Sequence, residues 1–274
     1  MTNITLTEAA ARILSIADPH EKAKLSRALI AEVRSGGLPA MGDTDLPLRP
    51  ERLAKPELKH PRDMPKRKVG ASVGGRIALL HALSHIELNA INLSWDIVGR
   101  FPDIAFPEDF YWDWLRIADD ESKHFLLLAD RLAALGGTYG DLPAHDGLWE
   151  SAIATKEEAL ARLAVVPMVL EARGLDVTPM MIEKLTHVGD MDTVAALRII
   201  YEDEITHVAS GRRWFEWLAS DRGIEDLEAC WQELVRRYFI GHVKRPFNKP
   251  ARFEAGMQPS YYEPLADWYA DIEL

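Results

Sequence analysis

"IYEDEITHVASG", residues 200–211, sets three acids and a histidine inside a run whose apolar spacing is helical. On a helix Glu204 shares a face with Ile200, Tyr201, His207, Val208 and Gly211, so a carboxylate and an imidazole lie together on a mainly apolar stripe. A second stretch, "IADDESKHFLLL" at 117–128, repeats the layout: Glu121 falls with Ile117, Ala118, His124, Phe125 and Leu128. Two further helical runs each bring one inward acid. Glu87 sits among Leu80, Leu83, Ala90 and Ile91, and Glu171 among Leu163, Ala164, Pro167, Met168 and Leu175. Glu121 follows Glu87 by 34 residues and Glu204 follows Glu171 by 33, so two helix hairpins repeat one arrangement of four carboxylates and two imidazoles.

Glu-x-x-His alone is a weak signal, because Glu57-Leu58-Lys59-His60 has the same spacing in a proline-rich stretch where no helix is expected. The residue before the Glu separates the copies: Pro56 there, but Asp120 and Asp203 in the other two. Four ionised carboxylates gathered in a low-dielectric interior raise one another's pKa and cost several kcal/mol per ion unless compensated. Two divalent cations cancel four such charges, and carboxylate oxygen with neutral imidazole suits iron or manganese. An Asp accepting from the far ring nitrogen of each His would fix its tautomer, which gives Asp120 and Asp203 a supporting place. The simpler reading of each Glu and His taken singly is a buried ion pair between helices.

Outside these runs the pattern is also helical, and strand alternation is absent. Thr5 with Glu8 forms a capping box, and Asp18, Pro19 and Glu21 open a second helix that stops near Gly36 and Gly37, giving an N-terminal helical hairpin over 1–37. Prolines at 39, 47, 50, 56, 61 and 65 mark 38–70 as an extended arm. Long helices are expected near 71–99, 107–135, 155–174 and 190–220, with shorter ones near 178–188 and 224–241. The expected organisation is therefore a bundle over 71–241 followed by an irregular tail over 242–274, rich in proline and aromatics.

The chain of 274 residues, 47% hydrophobic and 27% charged, can bury a sizeable core. A net charge of -11 disfavours nucleic acid and anionic membrane surfaces, which points to a small-molecule partner. The single cysteine, Cys230, and a start without a secretory pattern lead to the expectation of a cytoplasmic protein, and no apolar run reaches the ~18 residues of a membrane span. His81 and His85 read as surface or packing residues, and Glu202 as a solvent-facing partner of Arg198. Tyr201 is a core tyrosine or a phenol near the metals, and Trp95, Trp112, Trp114, Trp214 and Trp217 read as core rather than an electron path. Arg62, Lys66, Arg67 and Lys68, and in the tail Lys244, Arg245, Asn248 and Arg252, form basic islands that are either solvated charge or the mouth of an anionic-substrate site.

One Glu from each of two helices plus Glu-x-x-His from each of two others resembles the ligand layout of ferritin-like di-iron and di-manganese carboxylate proteins. The doubled Asp-Glu-x-x-His is similar to that of bacterial multicomponent monooxygenases and ribonucleotide reductase small subunits. In wider wording, from "LLHALSHIELNAI" through "YEDEITHV" to "RPFNKPAR", the chain resembles an uncharacterised bacterial ferritin-like family. The resemblance implies an all-α, ferritin-like four-helix bundle with Glu87, Glu121, His124, Glu171, Glu204 and His207 as ligands of two iron ions, or of manganese or a mixed pair. It further implies Asp120 and Asp203 bonded to ligand histidines, and an O2-dependent oxidase or hydroxylase of an organic substrate served by an external electron donor. A ferroxidase or iron-handling protein, a tRNA-modifying hydroxylase and a non-catalytic metal-stabilised binding protein are the alternatives, and a homodimer is open.

Overall fold

The computed structural model describes residues 4–64 and 72–272. These are helical, with no strand among them and one isolated parallel bridge between Leu58 and Ala144. No helix among them is long and apolar enough to cross a membrane. The chain divides into two compact units: unit 1 comprises Met1–Trp149 with Lys184–Ala196, and unit 2 comprises Glu150–Glu183 with Leu197–Leu274.

Unit 1 begins with α1 (Leu6–Leu14) and α2 (Pro19–Gly36), whose starts follow the expected chemistry. Thr5 and Glu8 form a reciprocal capping box, and the Asp18 carboxylate accepts from the backbone N–H of Glu21. The long pair α3 (Val73–Arg100) and α4 (Glu108–Ala134) carries the core, with α1 against α3 and α2 against α4. Trp95 is fully buried and donates its indole N–H to Ser26 Oγ at 2.8 Å, tying α3 to α2. The arm is held by backbone hydrogen bonds: Leu6 and Thr7 donate to Ala40 and Met41, Glu51 donates to Leu14, and Lys59 to Ala144. Arg62 is in the described part of the arm; Lys66, Arg67 and Lys68 lie outside the described residues.

In unit 2, α5 (Gly147–Ala154, begun in unit 1) and α6 (Ala159–Val165) lead into a π-helical turn, Val166–Glu171, and then α7 (Ala172–His187). The expected break before 178 is absent, and α7 runs through Pro179. Proline there deprives the Leu175 carbonyl of its helical donor. The side chain of Asn248 supplies one instead, Nδ2 to Leu175 O at 3.0 Å, so the helix continues without an orphaned buried carbonyl. A proline at 167 likewise removes an N–H near the start of the π-turn, where an α-helical hydrogen bond cannot form. The chain then enters α8 (Met191–Asp221) and α9 (Leu227–Tyr238). α9 packs on α6, with Trp231 Nε1 donating to Ala164 O at 3.1 Å.

The tail corrects the expectation of irregular chain over 242–274. It contains α10 (Lys249–Glu254), capped by Asn248 with Pro250 in its first turn, and α11 (Pro259–Ile272), which rests on α9. Of its prolines, Pro250 and Pro259 fall in first turns, where a missing N–H costs nothing, Pro264 lies inside α11, and Pro246 precedes α10.

A buried carboxylate and histidine centre

α3 and α4 of unit 1 bring three predicted ligands together. Glu87 comes from the middle of α3, and Glu121 and His124, one turn apart, from the middle of α4. His124 Nδ1 lies 3.3 Å from Glu87 Oε2 and 3.4 Å from Glu121 Oε2, and ligand atoms of all three fall within 4.8 Å of one another. Glu121 and His124 are fully buried and Glu87 is 4% exposed. Burial, and then the neighbouring charge of Glu121, push the Glu87 carboxyl well above the ordinary carboxylate range, and His124 offsets part of the rise.

Unit 2 holds the other predicted ligands. His207 is fully buried on α8, with Nδ1 3.8 Å from Glu204 Oε2, whose side chain is 13% exposed. The Glu-x-x-His pair therefore uses the same imidazole nitrogen as its counterpart on α4. Glu171 is half-buried at the end of the π-turn. That turn meets α8 at Gly211, where a Cβ would come within 2.2 Å of Pro167 Cβ. One turn from this contact along its own segment lie Glu171 on the one side and His207 on the other.

The third Glu-x-x-His copy is different. Glu57 and His60 are exposed, and His60 Nδ1 accepts from the backbone N–H of Arg62 at the start of a 3-10 turn, Pro61–Asp63. Asp120 is half-buried on α4, with Lys123 Nζ at 3.0 Å and Arg116 Nη1 at 3.7 Å; Asp203 is half-buried on α8. His81 and His85 are buried packing residues: His81 Nε2 accepts from Gly140 N, and His85 Nδ1 meets Tyr139 Oη at 2.7 Å. Burial pushes the His85 imidazole down to about 3. Glu202 is exposed. Trp95, Trp114 and Trp214 are buried, whereas Trp112 and Trp217 are half-buried.

The basic tail residues have partners within unit 2. Arg252 is 3% exposed and bonds Asp176 through Nε at 2.8 Å and Nη2 at 2.7 Å. Arg245 pairs with Glu263 and Asp267. Asn248 Nδ2 also donates to Tyr201 Oη at 2.8 Å, which fixes that phenol against the tail. Lys244 and Arg252 line a cavity of about 110 Å³ walled by Trp231, Phe239, Val243 and Phe247.

A family model described as "Protein of unknown function (DUF455)" matches residues 15–263. An "Uncharacterized protein" of Haemophilus influenzae is 44% identical over 224 residues, covering 80% of this chain and 76% of that protein. No solved structure matches.

Proposed function

We propose that this chain, which belongs to the family of unknown function DUF455, is a ferritin-like dinuclear metal protein that oxidises an organic substrate with O2. The observation that carries this reading is the group Glu87, Glu121 and His124, two carboxylates and an imidazole buried on facing helices. As a purely structural device it is a poor one, because burial and mutual repulsion work against the ionised form of Glu87. As a metal site it fits: the donors are oxygen and imidazole nitrogen, close together and shielded from water. The repetition at Glu171, Glu204 and His207 supplies the second half of a six-ligand set for two iron ions, or manganese, or one of each.

Two such ions, reduced, supply the electrons and the binding positions for O2 chemistry. The protein's own work is to hold the imidazoles with Nδ1 turned to the carboxylates and to release the protons that the metal-free carboxylates retain. Asp120 and Asp203 orient the ligand histidines in this reading, and Tyr201, held by Asn248, is positioned as a proton donor to substrate. An external electron donor completes the cycle. Lys244, Arg245, Asn248 and Arg252 belong to the wall of the substrate entrance, where Lys244 and Arg245 are exposed and Arg245 is paired with Glu263 and Asp267.

The test is anaerobic loading with ferrous iron, followed by O2 and optical monitoring. Rapid oxidation of two irons per chain is the expected outcome. Two bound irons that stay ferrous in air would reduce the protein to a metal-stabilised binder, and no bound iron would remove the site.

A further inference from the structure

Unit 1 contains a cavity of about 190 Å³ that none of the proposed metal ligands lines. It lies between the start of α2 (Ala17, Pro19, Lys22), the arm (residues 51–56 and Leu58), α3 (Leu88, Asn92) and Tyr139. Lys22 is 2% exposed, and Nζ donates to Asn92 Oδ1 at 2.6 Å and to Glu51 O at 3.5 Å. Neither partner is a carboxylate, so a buried ammonium stands without a counter-charge in hydrogen-bond contact, a costly arrangement. Arg52 is the second cation. Its Nη2 donates to Asp146 Oδ1 at 2.6 Å and Asn89 Oδ1 at 3.0 Å, which leaves Nε and Nη1 without a hydrogen bond among the described residues. Burial and the Arg52 charge both disfavour the charged form of Lys22, against a smaller opposing effect of Glu51. The positive end of the α2 dipole lies on the same side, since Lys22 is in its first turn. The rest of the lining is mixed: Leu53, Leu58, Leu88 and Pro56 are apolar, and Glu51 and Lys55 add one acid and one further cation.

We propose that this cavity binds a short-chain monocarboxylate, its head between Lys22 Nζ and the open edge of Arg52, its hydrocarbon end against Leu53, Leu58 and Leu88. An anion supplies the counter-charge that Lys22 lacks and takes the donors that Arg52 leaves open. The apolar half of the lining selects a carboxylate with a short chain over an inorganic anion, which would leave those side chains against water or a charged oxygen. A cavity of about 190 Å³ takes a small ligand such as butyrate. A ligand so small binds in the millimolar range. The proposal does not depend on the metal centre.

The experiment is methyl NMR of the full-length protein titrated with butyrate, butyramide and inorganic phosphate. Butyrate should shift the methyls of Ala17, Leu53 and Leu88, with butyramide at least about tenfold weaker, the worth of one charge-assisted contact. Lys22→Met should weaken butyrate by a similar factor. Leu53→Trp, at a half-exposed rim position, should block the cavity with both cations intact, which separates loss of the site from loss of the fold. Equal binding of butyramide, unchanged affinity in Lys22→Met, phosphate binding more tightly than butyrate at these methyls, or no shift in the folded wild type would each overturn the proposal.

Discussion

His124 and His60 stand in the same four-residue motif, and their surroundings give them opposite fates. His124 faces two carboxylates in a dry interior, whereas His60 caps a surface turn. His60→Ala should therefore leave metal content unchanged, while His124→Ala or His207→Ala should lose at least one ion per chain by elemental analysis. Equal losses in all three would refute the assignment. The distinction was legible in sequence because Glu121 and His124 share an apolar face at helical spacing and Glu57 follows a proline. Lys22 was not legible: in the first turn of a surface-like helix it reads as solvated, and only the arm folding over α2 buries it. Its amine is pushed down to about 7, chiefly by burial and then by Arg52. The unfolded chain, with an ordinary lysine pKa near ~10.4, then binds more protons than the folded one between about pH 7 and that value. Stability should rise with pH across that window relative to Lys22→Met, whose melting temperature carries no such contribution. Parallel pH profiles of the two proteins, measured without added anion, would show that the ammonium is not desolvated.

Helices legible from their caps are those with chemical starts: Thr5 and Asp18 each accept a backbone N–H three residues on, and Ser72 does the same for α3, which was legible from periodicity alone. What sequence did not show is how prolines are accommodated. The expected helices stop at 174 and restart near 178, whereas α7 runs on through Pro179, and Asn248, 69 residues later, satisfies Leu175 O. Asn248→Leu should destabilise the protein by about 1–3 kcal/mol, the cost of an unsatisfied buried carbonyl together with lost bonds to Tyr201 and the α10 cap. Pro179→Ala restores the helical N–H, so the same substitution should cost measurably less in that background; a double-mutant cycle by urea denaturation reads the coupling. A coupling of zero would mean that Leu175 O finds water instead. Gly211 is the matching element-scale constraint on α8. Gly211→Ala places a methyl against the Pro167 ring, and the two segments carrying Glu171 and His207 must separate. A loss of about 1–3 kcal/mol is expected, with weaker metal retention than in a control such as Gly174→Ala, where a Cβ meets nothing within 4 Å.

An acidic chain of net charge -11 places two of its carboxylates, Glu87 and Glu121, in the buried interior of unit 1, where charge is most expensive, and holds Glu171 and Glu204 half-buried in unit 2. Each compact unit contains one Glu-x-x-His and one further Glu. Without metal the carboxylates of unit 1 cannot all ionise comfortably, as the raised Glu87 shows, and the folded state gives up stability as pH rises through that carboxyl's elevated pKa. A divalent ion reverses the balance: it binds the deprotonated ligands, releases their protons and gains affinity as pH rises. Protein grown with ample iron and manganese should accordingly carry close to two ions per chain. At 100 times its dissociation constant each ion adds about 2.7 kcal/mol of stability, and at roughly 2–4 °C per kcal/mol that is a melting increase of several degrees per ion. Glu121→Gln in unit 1 and Glu204→Gln in unit 2 should each abolish most of the increase, because a neutral amide does not cancel the metal's charge. A metal content near zero, with the same melting temperature in the presence and absence of iron or manganese, would leave the six residues as paired helix-packing groups and remove the basis for O2 chemistry.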